Sequence, residues 1–288
     1  MKIMVLGPAL PWSYETWCAT LLREAGGDVL HWDNHRRNLL SPLTRLPGDL
    51  RRLGQGIYDS NASMAFYRAC KRFKPEVLFV PKADNIHSRA VREAIESTRA
   101  RLVIWYPDNP FRADQTSMNV IRNLRRCDIF YIWGKFLVDA LRSAGCRRVE
   151  YLPFGFYPPY YAVHGATSPP DAETWRCDIC FVGTWDADRE RALLPLAGRS
   201  LAIHGPGWRA NCSRESPLRP HVRSDGLYGG DMARAYAGAA IVFNHLRDHN
   251  GSAHNHRTME IAGIGGGVQV VRRTPEQAGE LFTEGADL

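Results

Sequence analysis

Short apolar runs recur along this 288-residue chain, with helix-period stretches between them. Residues 2–7 (KIMVLG) read as a strand, and Ser13 as the N-cap of a helix over 14–25 that stops at Gly26-Gly27. Further strands are expected at 29–32, 76–80, 102–106, 128–133 and 149–152. Helical patterns at 61–73, 88–98, 116–126 and 135–144 separate most of them. The basic, Leu-rich stretch 36–56 has no clear period. Strands spaced by helical segments of this length predict βαβ units and a parallel sheet.

Residues 153–170 break the pattern with Gly155, Pro158, Pro159, Gly165, Pro169 and Pro170 among aromatics. We read a linker there. A second alternation follows. It has strands at 178–182, 200–204, 240–244 and 268–271, and helices at about 188–197, 231–237 and 255–262. One more helix starts at 275, and residues 208–223 read as an irregular loop. The expected organisation is a basic Rossmann-like domain at 1–160, a linker at 161–176, and a second Rossmann-like domain at 177–288. Two such domains facing across a cleft would hold a ligand between them.

Composition narrows the class. Hydrophobic residues make up 44% and charged residues 23%, which excludes a disordered chain. No apolar run is long enough to span a bilayer. Seven scattered cysteines, an odd number, argue for reduced thiols and a cytoplasmic setting. The formal charge is +7, unevenly placed: residues 1–160 hold 24 Lys and Arg against 15 Asp and Glu. That half is therefore expected to meet something anionic.

The motifs narrow it further. Gly7 stands alone after the first strand, so the G-x-G-x-x-G fingerprint of a nicotinamide or flavin dehydrogenase is missing. A G-x-x-x-x-G-K-[ST] phosphate loop is missing too. Cys177 and Cys180 have no second pair at zinc spacing and read as structural thiols. Asp186-Ala187-Asp188 could hold a divalent ion, but it precedes a helix, where acids act as caps. His245, His249, His254 and His256 cluster with Asp248, yet no pair is spaced for a metal on one helix; an imidazole beside an active site is the better reading. The most informative stretch is 255–266 (NHRTMEIAGIGG). A helix starting at Asn255, with Arg257 and Thr258 in its first turn, offers free N–H groups and a guanidinium to a phosphate. Glu260, one turn on, can accept hydrogen bonds from ribose hydroxyls.

At these residues the second half resembles the CgeB-like (spore-maturation-type) glycosyltransferases of the GT-B-fold superfamily. Residues 178–185 with Arg189 or Arg191 resemble the "D-x-x-F-V-G-s…R" opening of the family's C-terminal domain. Residues 203–208 (IHGPGW) resemble "I-y-G-p-g-W", and 226–244 resemble "G-x-v…e-m…Y…A-x-I-x-l-N". Residues 255–266 resemble "n-l-R-t-F-E-i-x-a-c-G-g", with Met259 for Phe, and 274–285 resemble "T-p-E…l-F-x-x-G". In the first half, 105–110 (WYPDNP) and 151–155 are similar to the family's "W…D-d-P" and "y-l-P-x-g".

The resemblance implies a nucleotide-diphosphate sugar as donor, a UDP-sugar first, bound without metal. It places Gly183 and Thr184 against the diphosphate, with Arg189 or Arg191 and Arg257 neutralising it, and Gly205 and Asn255 among the donor-binding residues. Leu227 and Tyr228 fall where the base is held, Thr258 in the first helical turn suited to phosphate, and Glu260 at the ribose. The first Glu of the superfamily's E-x7-E pair falls on Ser252, which leaves the sugar contact open. An inverting transfer needs a general base; Asp108 is the first candidate and Asp84 the second. The basic half would then take the acceptor: an acidic glycan, a lipid-linked sugar, a small molecule or nucleic acid. A DNA (modified-base) glycosyltransferase, with Arg36-Arg37, Arg51-Arg52 and Arg125-Arg126 on phosphates, stays open. So do a GT-B-type epimerase and a non-catalytic sugar-nucleotide-binding protein. Relatives run on past the last motif, so the second domain is expected to be shortened.

Overall fold

The computed structural model describes residues 1–36, 38–82, 84–162 and 172–287. Arg37 and the linker residues Gly165, Pro169 and Pro170 lie outside the described residues. The chain forms two compact units, Met1–Pro153 and Phe154–Leu288.

The first unit carries β1 (Lys2–Leu6), α1 (Tyr14–Glu24), β2 (Asp28–Trp32), α2 (Gly48–Phe73), β3 (Val77–Pro81) and α3 (Ser88–Thr98). β4 (Arg101–Tyr106), α4 (Met118–Leu124), β5 (Ile129–Ile132), α5 (Val138–Ser143) and β6 (Val149–Tyr151) complete it. The six strands run parallel in the order β2-β1-β3-β4-β5-β6. Met4, Leu6, Leu78, Leu102 and Phe130 are fully buried, as in a sheet covered on both faces. Ser13 caps α1 as expected, its Oγ accepting the Thr16 N–H at 3.2 Å.

One expectation is corrected. The aperiodic stretch 36–56 is largely helical: a 3-10 turn at Ser41–Arg45 leads into α2, which starts at Gly48 rather than Asn61. The turn packs on the helix so closely that a Cβ on Gly54 would sit 2.2 Å from the Leu43 carbonyl oxygen.

The second unit begins with two short helices, α6 (Pro158–Tyr161) and α7 (Ala172–Trp175). Then come β7 (Cys177–Val182), α8 (Ala187–Leu193), β8 (Leu201–His204), α9 (Trp208–Asn211) and β9 (Val222–Ser224). The last elements are α10 (Gly229–Ala237), β10 (Ala239–Asn244), α11 (His256–Ile264), β11 (Val268–Val271) and a wide turn at Gln277–Leu281. Its five parallel strands follow the order β11-β10-β7-β8-β9. The span read as a loop, 208–223, holds α9 and the start of edge strand β9. Phe181, Leu193, Ile203, Trp208 and Leu218 form one core cluster.

The segment that sequence assigned to the end of the first domain and the linker packs on this unit in its described parts. The Phe154 N–H donates to His254 Nε2 at 3.2 Å, and the Phe156 ring stacks on Tyr161. Gly263, just past the helix expected at 255–262, lies inside α11. A Cβ there would meet the Phe156 ring at 2.3 Å, so the missing side chain makes room for that ring.

Candidate functional site

In each sheet the strand order reverses once, between β1 and β3 and between β7 and β10. Neighbouring crossovers leave on opposite faces there, opening a crevice at the carboxyl ends of the strands. In the second unit that crevice is a cavity of about 290 Å³. Its walls are the end of β7 with Gly183 and Thr184, the end of β10 with His245 and Arg247, and the first turns of α8 and α11.

Asp186 organises the α8 side. Its carboxylate accepts the Arg189 N–H at 2.8 Å as the N-cap of α8. It also takes a hydrogen bond from Arg247 Nε at 2.8 Å and lies 3.6 Å from Arg189 Nε. Burial alone would raise its carboxyl, but the capping hydrogen bond and the two guanidiniums outweigh that and lower it. Arg189 points inward, donates to the Thr184 carbonyl at 2.7 Å and lies over the Phe181 ring. A Cβ on Gly183 would come within 3.3 Å of that guanidinium. Burial, the Arg247 charge and, more weakly, the Arg257 charge lower the Arg189 pKa to about 10, against the opposing pull of Asp186. Arg189 Nε and His245 Nδ1 are buried with no hydrogen-bond partner among the described residues. Burial and Arg189 also lower the His245 pKa, so its imidazole is neutral at pH 7.

Asn255 caps α11, accepting the Thr258 N–H at 2.9 Å. It is held by Asn244 at the end of β10, whose oxygen accepts from Asn255 at 2.9 Å and whose amide reaches Thr258 Oγ1 at 3.1 Å. Thr258 is fully buried in this network. Glu260 is the charged floor. Its Oε2 lies 2.7 Å from Arg257, and its Oε1 accepts from the Tyr161 hydroxyl and lies 3.5 Å from His256. Burial opposes ionisation, but Arg257, His256 and Tyr161 together hold the Glu260 carboxyl below its usual range. The Glu260 side chain is 6% exposed and that of Arg257 24%. Among the described residues three guanidiniums therefore border the cavity, with Glu260 the one lining carboxylate.

The structure brings together Gly183, Thr184, Arg189, Asn255, Arg257 and Glu260. It sends Arg191 to the surface, paired with Asp188, its side chain 72% exposed. Thus Asp186 and Asp188, weighed as a D-x-D pair, each face guanidiniums. Among the described residues no group of three His, Cys, Asp or Glu could hold a metal. Gly205 lies behind the cavity wall, where a Cβ would stand 1.9 Å from the Gly183 carbonyl oxygen. Leu227 is buried before α10 and Tyr228 is its exposed N-cap; neither lines the cavity. Arg247 and Tyr161 were not singled out from sequence. A basic residue three positions after the end of a strand was the signal available for the first.

In the first unit the reversal point gathers charged groups. Lys82, at the end of β3, pairs with Asp108 and lies 3.8 Å from Asp84. It takes a left-handed backbone with φ of 56°, uncommon for a side chain of its size. Burial raises the Asp84 pKa above its ordinary value, against Lys82 and a Ser117 hydrogen bond at 3.3 Å. Sequence reading missed Glu15 in the first turn of α1. Its side chain fills the space a Cβ on Gly7 would need, with Cγ 2.1 Å from that position. It is 7% exposed, and burial pushes its pKa up to about 7 despite Ser13 and Lys82.

Residues 189–288 match the family model described as glycosyl transferase-like. No curated protein matches the chain in sequence. Solved structures share the architecture at low identity. Sucrose-phosphate synthase from Thermosynechococcus elongatus superposes with a TM-score of 0.64 at 12% identity, over 96% of this chain and 82% of that one. Anabaena HepE, solved in complex with UDP and glucose, gives 0.58 at 14%, over 95% and 81%. A putative UDP-N-acetylglucosamine 2-epimerase from Listeria monocytogenes gives 0.58 at 14%, over 96% and 80%. The class is a GT-B fold: two Rossmann-like units with parallel sheets.

Proposed function

We propose that this protein is a glycosyltransferase that takes a nucleotide-diphosphate sugar, a UDP-sugar first, in the cavity of its second unit. The observation that carries the reading is the charge of that cavity. Arg189, Arg247 and Arg257 border it, against Glu260 in its lining and Asp186 behind Arg189 and Arg247 among the described residues, and Arg189 is held at a cost in burial and repulsion. A dianionic ligand relieves that cost. The start of α11, which lines the cavity, adds the positive end of the helix dipole.

Breaking the anomeric C–O bond leaves negative charge on the nucleoside diphosphate. Arg257, Arg189 and the α11 N-terminus are fixed donors for that charge, and such preorganised donors lower a barrier by several kcal/mol each at most. The guanidiniums fill the role a divalent ion has in metal-dependent transferases. Glu260, at the cavity floor, is the acceptor for ribose hydroxyls; a ligand there replaces part of its contact with Tyr161 or Arg257. An inverting transfer needs a base for the acceptor hydroxyl. Asp108 and Asp84 are the sequence candidates, and Glu15, poised near neutrality, joins them.

The test is titration calorimetry with UDP, GDP, ADP and their glucose conjugates, followed by product analysis with and without added acceptors. Binding of one diphosphate, lost in Arg257→Ala, supports the donor site. No binding of any of them overturns it. Interconversion of the donor sugar without an acceptor supports the epimerase reading instead, which the Listeria neighbour's fold makes the competitor.

A further inference from the structure

The N-terminal two-thirds of α2 shows an apolar face that nothing among the described residues covers. Leu50, Leu53, Ile57 and Met64 are 58%, 64%, 45% and 53% exposed. At 3.6 residues per turn they fall within one arc of about 60°. The core-facing residues Tyr58, Ala62, Phe66 and Cys70 turn away from that arc, and Gly54 borders it. Arg68 and Lys71 continue the same exposed arc toward the helix end, and Lys71 sits over the Tyr67 ring. The helix carries five cations, Arg51, Arg52, Arg68, Lys71 and Arg72, against Asp49 and Asp59. Leu39, 98% exposed, precedes the turn that packs on this helix.

We infer that the exposed face of α2 docks on an anionic membrane surface. A helix with an apolar stripe and flanking cations lies in the lipid interface, side chains among the acyl chains and cations at the headgroups. The long stems of Arg68 and Lys71 let their charges reach phosphates while the apolar residues sink. Charge decides against two other occupants. A second copy would bring the same cations to the same face, in a half that is already basic. A nucleic acid would match the cations but would leave four large apolar side chains against phosphates. No helix among the described residues is long and apolar enough to cross a membrane, so the contact is peripheral.

The face is tied to the reversal point of the first sheet. Ser63 Oγ on α2 accepts the His87 N–H at 2.9 Å at the start of α3, in the connection that follows Lys82 and Asp84. A chain seated by α2 would therefore hold that edge near the headgroups. The inference needs no donor and stands apart from the transfer reading.

Vesicle co-sedimentation of the full chain tests it, using phosphatidylcholine alone and phosphatidylcholine with about 30 mol% phosphatidylglycerol. Anionic vesicles should bind the protein about tenfold or more tightly than neutral ones. Leu53→Ser with Ile57→Ser, which changes no charge, should weaken binding by about tenfold while circular dichroism and the thermal midpoint stay put. Arg68→Gln with Lys71→Gln should abolish the preference for anionic lipid. Absence of anionic-vesicle binding overturns the inference. So does unchanged binding of the Leu53/Ile57 variant, which would leave only diffuse charge attraction. A parent chain that is dimeric without lipid, and monomeric once Leu53 and Ile57 are serine, assigns the face to self-association instead.

Discussion

Arg257 and Glu260, three residues apart on α11, form an ion pair at 2.7 Å with the carboxylate almost wholly buried. Each is the other's main counter-charge, and the Tyr161 hydroxyl completes the carboxylate's shell. Removing one partner strands the other in a low-dielectric site. Arg257→Ala should therefore destabilise the second unit by about 3 kcal/mol, measured by urea unfolding. Glu260→Gln keeps the Tyr161 contact and should cost about 1–2 kcal/mol. The double variant should lose less than the two single losses together, since the pair vanishes as a unit. Additive losses would mean that the pair contributes nothing beyond its separate contacts.

Arg189 makes the opposite prediction. Its guanidinium is buried, repelled by Arg247 and pushed down to a pKa of about 10. Residues held in unfavourable settings for a ligand are often stabilised by removal. Arg189→Gln should leave the stability of the ligand-free protein unchanged or raised. The same variant should weaken nucleoside diphosphate binding by about tenfold to a hundredfold, the worth of a charge-assisted hydrogen bond. Calorimetry beside a thermal melt reads both. A variant that binds like the parent would remove Arg189 from the site.

Much of this was legible because parallel strands buried on both faces read as continuous apolar runs. The β7 run ending in Gly183-Thr184, and Asn255 before Arg257, announced the two walls of the cavity in that way. Other parts could not be read from local pattern. The first half of α2 hid because Leu50, Leu53 and Ile57 face outward while Gly54, Tyr58 and Ala62 face inward, so apolar residues on both sides erase the helical period. Tyr161 meets Glu260 across 99 positions of sequence. Glu15 looked like an ordinary first-turn acid, and only its packing against Gly7 shows that it is buried.

Gly205 shows how a residue outside the cavity shapes it. The backbone of β8's exit passes so near β7's exit that a Cβ on Gly205 would lie 1.9 Å from the Gly183 oxygen. That same oxygen accepts the Trp208 indole N–H at 2.8 Å. Gly205→Ala must push the Gly183–Thr184 turn aside. We expect a loss of about 3 kcal/mol, at the upper end for overpacking, and weaker diphosphate binding with it. A variant with parent stability would show that this close approach relaxes freely.

Glu15 makes stability depend on pH in a direction opposite to most carboxylates. Its pKa is raised from 4.5 to about 7, chiefly by burial. Below pH 4.5 the side chain is neutral in both the folded and unfolded states and has no effect. Between 4.5 and about 7 the unfolded chain ionises while the folded chain keeps its proton, so stability falls as pH rises. Above about 7 both are ionised and the penalty is complete, at most about 3 kcal/mol for a shift of this size. Glu15→Gln removes the ionisation without changing the shape. It should therefore gain little over the parent near pH 4.5 and about 2–3 kcal/mol at pH 8, read as the difference between their urea midpoints. Taking that difference cancels the opposite slopes of Asp186 and Glu260, whose lowered pKa values cost stability only as pH falls. If Glu15 also receives the acceptor's proton, the variant should lose the limb of the transfer rate profile that rises toward neutrality. A stability gain that is the same at both pH values would place the Glu15 carboxyl in water.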